Sequence, residues 1–247
     1  MIPLHDDNPT RRQPVMTVAL IIACVVVYFV VQPTPFASTR ADTLFDFRHA
    51  AIPVELLHHS AVTACQIAAN ACSRPGGGVA VIPGKHVYLA IASSMFLHGS
   101  VLHLLGNLLF LWIFGNNVED RLGRIRYIVF YVAAGIVATV GYTLANPSSA
   151  TPLLGASGAI AGVMGAYLIW YPRARVLTLI SIIPLRVPAW IVLIGWFVLQ
   201  FFTGPNSSVA WMAHVAGFVF GVLVGLVMRR QAPHHPTPPL SAWPPPN

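Results

Sequence analysis

Ser157 lies in the run Gly155-Ala156-Ser157-Gly158 at the start of an apolar stretch of roughly 17 residues, and His214 opens another. A third apolar stretch carries His103 and Asn107. Polar side chains in hydrocarbon are costly unless partnered, which makes each a functional candidate. Their types are those of acyl transfer: a hydroxyl nucleophile, an imidazole base, and donors for an oxyanion. Singly, each has a plainer reading. Gly-rich stripes in membrane helices usually serve packing, and a serine among them usually bonds back to its own helix. The elements that carry these residues decide between the two.

Composition makes those elements membrane helices. The chain is 56% hydrophobic and 9% charged, with a mean hydropathy of +0.70, far from soluble globular values. Its 14 basic residues against seven acids are scattered between apolar segments. A nucleic-acid binder would cluster them on one face, so nucleic acid is not an expected partner and the lipid bilayer is. Six apolar stretches read as spans: approximately Val15 to Val31, Ser94 to Phe114, Tyr127 to Leu144, Leu154 to Tyr171, Val187 to Phe202 and Val209 to Met228. Each approaches the ~20 residues that a ~30 Å hydrocarbon core requires. The first lacks a small-residue cleavage site and is followed by Pro33 and Pro35, so it reads as a retained helix.

Charge sets the expected orientation. With the N-terminus inside, ten arginines fall on the cytoplasmic side, while Arg40, Arg48, Arg74 and Lys85 share one long outer loop. The other two outer loops, Ala145 to Leu153 and Thr203 to Ser208, carry no charge. This is a positive-inside pattern with both termini cytoplasmic. The second, fourth and sixth spans then run inward, and His103, Ser157 and His214 all fall in the outer half of the bilayer. His103 and Asn107, four residues apart, share a helical face, whereas His98 points away from His103. Small-residue stripes, Gly158 to Gly162 and His214-Gly217-Gly221-Gly225, let backbones approach closely and predict that the fourth and sixth helices touch. One cavity opening outward would then collect the polar groups.

Three domains of the chain follow: a cytoplasmic segment 1–14, a membrane domain 15–230 with its long outer loop at 32–92, and a tail 231–247. The seven prolines of the tail prevent a packed core and read as disorder. In the outer loop, Ala50 to Leu57 reads as an amphipathic piece at the membrane surface. The spacing of Cys65 and Cys72 is compatible with a disulfide and with two thiols. Glu119-Asp120-Arg121 reads as a structural cluster tied to Arg124 or Arg126. Trp112, Trp170, Trp190 and Trp211 read as interface anchors.

The ordered motifs resemble those of rhomboid intramembrane serine proteases. Phe96-Leu97-His98-Gly99-Ser100-Val101-Leu102-His103-Leu104-Leu105-Gly106-Asn107 is similar to their second-helix signature, and Gly155-Ala156-Ser157-Gly158 to their nucleophile motif. Ala213-His214-Val215-Ala216-Gly217, with Gly221, is similar to their sixth-helix histidine motif. Gly115-Asn116-Asn117-Val118-Glu119-Asp120-Arg121-Leu122-Gly123 resembles their loop after the second helix. The resemblance covers about Met16 to Arg230, and its specificity lies in the order of the set.

It implies an all-α six-helix membrane bundle with a water-accessible cavity, in a bacterial plasma membrane. It also implies a Ser-His dyad with no cofactor and no metal. Ser157 would be the nucleophile and His214 the base. The backbone N–H of Ser157 with the side chains of His103 and Asn107 would hold the oxyanion. Substrates would be single-span membrane proteins cut in or near the membrane segment. Two departures stand out. Ala161 occupies a position that often carries an aromatic stacked on the histidine, and the outer loop has no Trp for the Trp-Arg pair of some members. None of the seven acids lies in a predicted span, so no carboxylate orients His214, which predicts slow turnover.

Rival readings differ in their residues. A membrane zinc protease would want His-Glu-x-x-His or paired intramembrane aspartates, and neither is present. A transporter would want intramembrane charge for an ion relay. A catalytically inactive relative that binds membrane clients is the remaining alternative, although such proteins typically lose the Ser or His kept here.

Overall fold

A computed structural model describes residues 2–33, 40–68, 79–203 and 209–229. Cys72 and the 231–247 tail lie outside the described residues; Cys65 is disulfide-bonded. The order is β1 (Ile2–Asp6), α1 (Val15–Val26, running into a π-helical turn Val27–Val31), α2 (Arg40–His49), α3 (Pro53–His58), α4 (Ala64–Ile67) and α5 (Leu89–Ser94). Then come α6 (Val101–Leu122), α7 (Arg124–Ala145), α8 (Ser157–Trp170), β2 (Arg175–Ile180), β3 (Ile183–Pro188), α9 (Ala189–Gln200) and α10 (Trp211–Met228). By length and composition, α6, α7 and α10 can each cross a membrane. The remaining apolar helices, Val15–Val31, α8 and α9, are shorter. At ~1.5 Å per residue the 14 residues of α8 span ~21 Å, less than a full hydrocarbon core.

The expected all-α architecture is corrected by a three-stranded antiparallel sheet in the order β1-β2-β3. The hairpin β2–β3 occupies the segment between α8 and α9. Its run Arg175-Val176-Leu177-Thr178-Leu179-Ile180 is β-branched and aliphatic, turns through Ser181 at φ 58°, and pairs residue for residue with Ile183–Pro188.

The second helix is also shifted from its predicted span. Ser100 caps it, its side chain accepting the N–H of His103 at 3.1 Å. The helix therefore starts at Val101 rather than Ser94 and runs on through Glu119 and Asp120 to Leu122. Two of the seven acids thus belong to a helix long enough to cross a membrane. The cluster is structural, as expected, but its partners are different. Glu119 accepts the N–H groups of Met16 and Thr17 at 2.9 and 2.8 Å and the Thr17 hydroxyl at 2.8 Å, satisfying the open N-terminus of α1. Asp120 accepts the N–H groups of Arg11 and Arg12. Arg121 lies over the rings of Trp170 and Tyr171.

Trp170 is likewise no interface anchor. It is buried and donates to the Gly225 carbonyl at 2.9 Å. The stretch Ala50 to Leu57 packs largely into the protein. Ala50 through Glu55 are buried, Ala51 bridges Leu153, and Val54 donates to Ser149. Glu55 is held by the Lys85 ammonium at 2.5 Å, both side chains 1% exposed.

The core sits on α8, whose face is almost entirely small. Against it packs α10, the most extensive helix pair in the molecule. A Cβ on Gly217 would overlap the Gly158 carbonyl oxygen, and one on Gly221 the Gly162 carbonyl oxygen. The two glycine stripes are thus what brings the first turns of α8 and α10 together, as their spacing predicts.

Candidate active site

Ser157 is the first residue of α8, and His214 stands one turn into α10. With the helices docked on their glycines, Ser157 Oγ and His214 Nε2 lie 2.8 Å apart. Both side chains are half-buried. The backbone N–H groups of the first turn of a helix have no acceptor within it, so Ser157 sits where such donors converge.

His103 and Asn107 reach the same place from α6. Gly155 holds a φ of +122°, conformationally open to glycine. A side chain there would meet His103 Cε1 at 2.8 Å and Nε2 at 2.9 Å, and come within 3.6 Å of Asn107 Nδ2. The absence of a Cβ at Gly155 lets the imidazole and the amide approach the turn that carries Ser157. Asn107 is 7% exposed, and its Nδ2 has no hydrogen-bond partner among the described residues. All four residues singled out in the sequence therefore border one site. A small cavity of about 10 Å³, lined by Ser94, Thr139, Gly155 and Ser157 among others, adjoins it. That volume admits about one water and no peptide.

Two neighbours of His214 were not foreseen. Gln200 Oε1 lies 2.7 Å from His214 Nδ1. The Trp196 ring packs against the imidazole with centroids 5.6 Å apart at 39°. Both come from α9. Ala161 is fully buried and carries no ring. A lone glutamine and a tryptophan in an apolar stretch carried no mark in the sequence beyond their polarity and size.

His98 departs from its expected placement. It precedes α6, so helical phase does not separate it from His103, and the two rings stand 5.2 Å apart. It is fixed by Gln32, whose Oε1 accepts the His98 N–H while its Nε2 donates to the His98 carbonyl, each at 3.0 Å. Among the described residues no three His, Cys, Asp or Glu side chains group as metal ligands.

A Rhomboid domain model matches residues 85–231, more than half of the chain and all four site residues. The chain belongs to the rhomboid family. Relatives of this rhomboid include Rhomboid protein 1, mitochondrial, of Saccharomyces cerevisiae, 29% identical over 150 residues that cover 56% of this chain and 41% of that protein. RHOMBOID-like protein 5 of Arabidopsis thaliana is 30% identical over 138 residues, 56% of this chain and 43% of the relative. Rhomboid protease GlpG of Yersinia pestis is 31% identical over 132 residues, 53% of this chain and 45% of the relative. The match spans less than half the length of these relatives. Family membership and the apolar helices together make this rhomboid an integral membrane protein.

Proposed function

We propose that this rhomboid is an intramembrane serine endopeptidase acting on single-span membrane proteins in or near their membrane segment. The observation that carries the reading is the 2.8 Å contact of Ser157 Oγ with His214 Nε2 between two apolar helices. A serine hydroxyl is a weak nucleophile and needs such a base. In the proposed reaction His214 Nε2 takes the Ser157 proton as Oγ attacks the scissile carbonyl carbon. The backbone N–H of Ser157 and the side chains of His103 and Asn107 then receive the oxyanion. His214 returns the proton to the departing amine, and water releases the acyl group by the same steps in reverse. No metal or cofactor has a part in this scheme.

The proposed setting is a six-helix membrane domain over residues 15–230 in a bacterial plasma membrane, termini in the cytoplasm and the site opening outward. Residues 1–14 and 231–247 would be its cytoplasmic segments. The ten cytoplasmic arginines of the positive-inside pattern support that orientation. In the proposed reaction a helical substrate presents a locally unwound carbonyl to Ser157. Small or helix-breaking residues near the cut favour that unwinding.

Reconstituted full-length protein is to be incubated with a panel of single-span substrates beside Ser157→Ala. Cleavage by the parent alone supports the reading, and cleavage by both removes Ser157 from the chemistry. Failure of a fluorophosphonate to label Ser157, together with silence on every substrate, points to an inactive, client-binding relative.

A further inference from the structure

The scheme above leaves one buried amide without a role. Gln200 ends α9, is 7% exposed, and directs its Oε1 at His214 Nδ1 over 2.7 Å. We propose that Gln200 is a positioning residue for the reaction, completing a Ser157–His214–Gln200 chain in which the neutral amide stands where a triad has its carboxylate. The proposal rests on the Ser-His reading and deepens it.

The hydrogen bonds have only one consistent direction. Gln200 Nε2 donates to the Trp196 carbonyl oxygen at 3.1 Å, and a carbonyl can only accept. Turning the amide over would set two oxygens against each other, so Oε1 must face His214. Facing an acceptor, Nδ1 carries the proton and donates. A neutral imidazole has a single N–H, so Nε2 is left with its lone pair toward Ser157 Oγ. The opposite tautomer would put a proton on the atom that must accept one, and no base would remain. The Thr203 hydroxyl donates to the Gln200 carbonyl at 2.6 Å and steadies the end of α9.

Trp196, one turn earlier, packs its ring against the imidazole. Base orientation in this chain is therefore supplied by α9. Displacing α9 withdraws the acceptor and the ring together, which couples the position of this helix to the competence of the base.

The facing groups bear on any pH effect. Ser157 meets His214 from α8, Gln200 and Trp196 from α9, and His103 from α6, with His98 behind His103. None of these is a carboxylate, so an introduced one has no competitor.

The test uses full-length protein in liposomes with a cleavable single-span substrate. Gln200→Leu keeps the bulk and removes the acceptor; kcat is expected to fall about 10- to 100-fold with KM unchanged. Gln200→Glu restores an acceptor at the same reach. It is expected to recover kcat and to move the acid limb of its pH profile upward, because a carboxylate favours the imidazolium. Parental kcat in Gln200→Leu, or equal impairment of both variants on an unshifted profile, overturns the proposal. Ser157→Ala in parallel separates failures: cleavage by that variant sinks the dyad itself, whereas a dead Ser157→Ala beside a fully active Gln200→Leu sinks only this role. A measurement on the unmutated protein is independent of folding defects. Its 15N-histidine spectrum, assigned by loss of the His214→Ala signal, should show the Nδ1–H form, and an Nε2–H form overturns the proposal.

Discussion

Asn107 presents an energetic puzzle that its proposed role resolves. A buried donor without a partner costs about 1–3 kcal/mol, and Asn107 Nδ2 is such a donor among the described residues. Folding alone gives no reason to keep it beside Gly155 and His103. An oxyanion forming at Ser157 does, since donors fixed before the reaction need no rearrangement during it. Asn107→Ala is accordingly expected to lower kcat by about 10²-fold while leaving the thermal midpoint near that of the parent. Full activity with a depressed midpoint would make the amide structural. The residues that could be found from sequence were those whose polarity conflicts with a long apolar context: Ser157, His214, His103 and Asn107. Gln200 escaped because it stands at the end of its stretch, where an amide looks like an ordinary helix terminus. The expectation that no carboxylate orients His214 stands beside an uncharged amide, whose Oε1 faces Nδ1 at 2.7 Å.

Between elements, the decisive contact is backbone on backbone. At Gly221 of α10 the Gly162 carbonyl oxygen occupies the space of a side chain. Gly106 of α6 has nothing within 4 Å of its own missing Cβ. Gly221→Val should therefore force α8 from α10, separate Ser157 from His214, and destabilise by about 1–3 kcal/mol or more. Gly106→Ala should be silent or slightly stabilising, since alanine is the better helix former by about 1 kcal/mol. Denaturant titration in micelles, run with fluorophosphonate labelling, reads both; equal behaviour of the two variants would remove the close approach as the organising contact. This docking was legible because glycine at every fourth position marks a groove. The β2–β3 hairpin was not, although Arg175 to Pro188 is rich in Val, Ile and Leu around a two-residue turn. In so apolar a chain, six-residue aliphatic runs do not stand out from the spans on either side. His98 shows the same limit, because its direction depended on a helix start that the Ser100 cap places later.

At the scale of the molecule, the beginning of the chain closes the end opposite Ser157. Tyr167 lies ten residues along α8 from Ser157, ~15 Å away, and donates to Asp6 Oδ2 at 2.7 Å, as does Asn117 Nδ2 from α6. β1 thus joins α6, α8 and β2 from outside the region that matches the family. Asp6 is outside every span but 4% exposed. Burial raises its carboxyl from 3.8 to about 6, against the lowering effect of the Tyr167 hydrogen bond. The folded state therefore binds the Asp6 proton more tightly than the unfolded chain does. The stability this confers is fully present below pH 3.8 and is lost as pH rises through about 6, by at most ~3 kcal/mol at ~1.4 kcal/mol per tenfold. Asp46, raised to about 6 by burial and then by Asp42, acts in the same direction, while His49, lowered by burial, acts in the opposite one. The contribution of Asp6 is isolated by difference. Asp6→Asn keeps an acceptor for Tyr167 and Asn117 without the charge, so it should melt higher than the parent at pH 8 and match it only near pH 3, below the unfolded value of 3.8. A variant that melts lower at both pH values would mean that the carboxylate is held ionised by its donors. The raised carboxyl would then be wrong, and β1 would be fastened by charge instead of by burial.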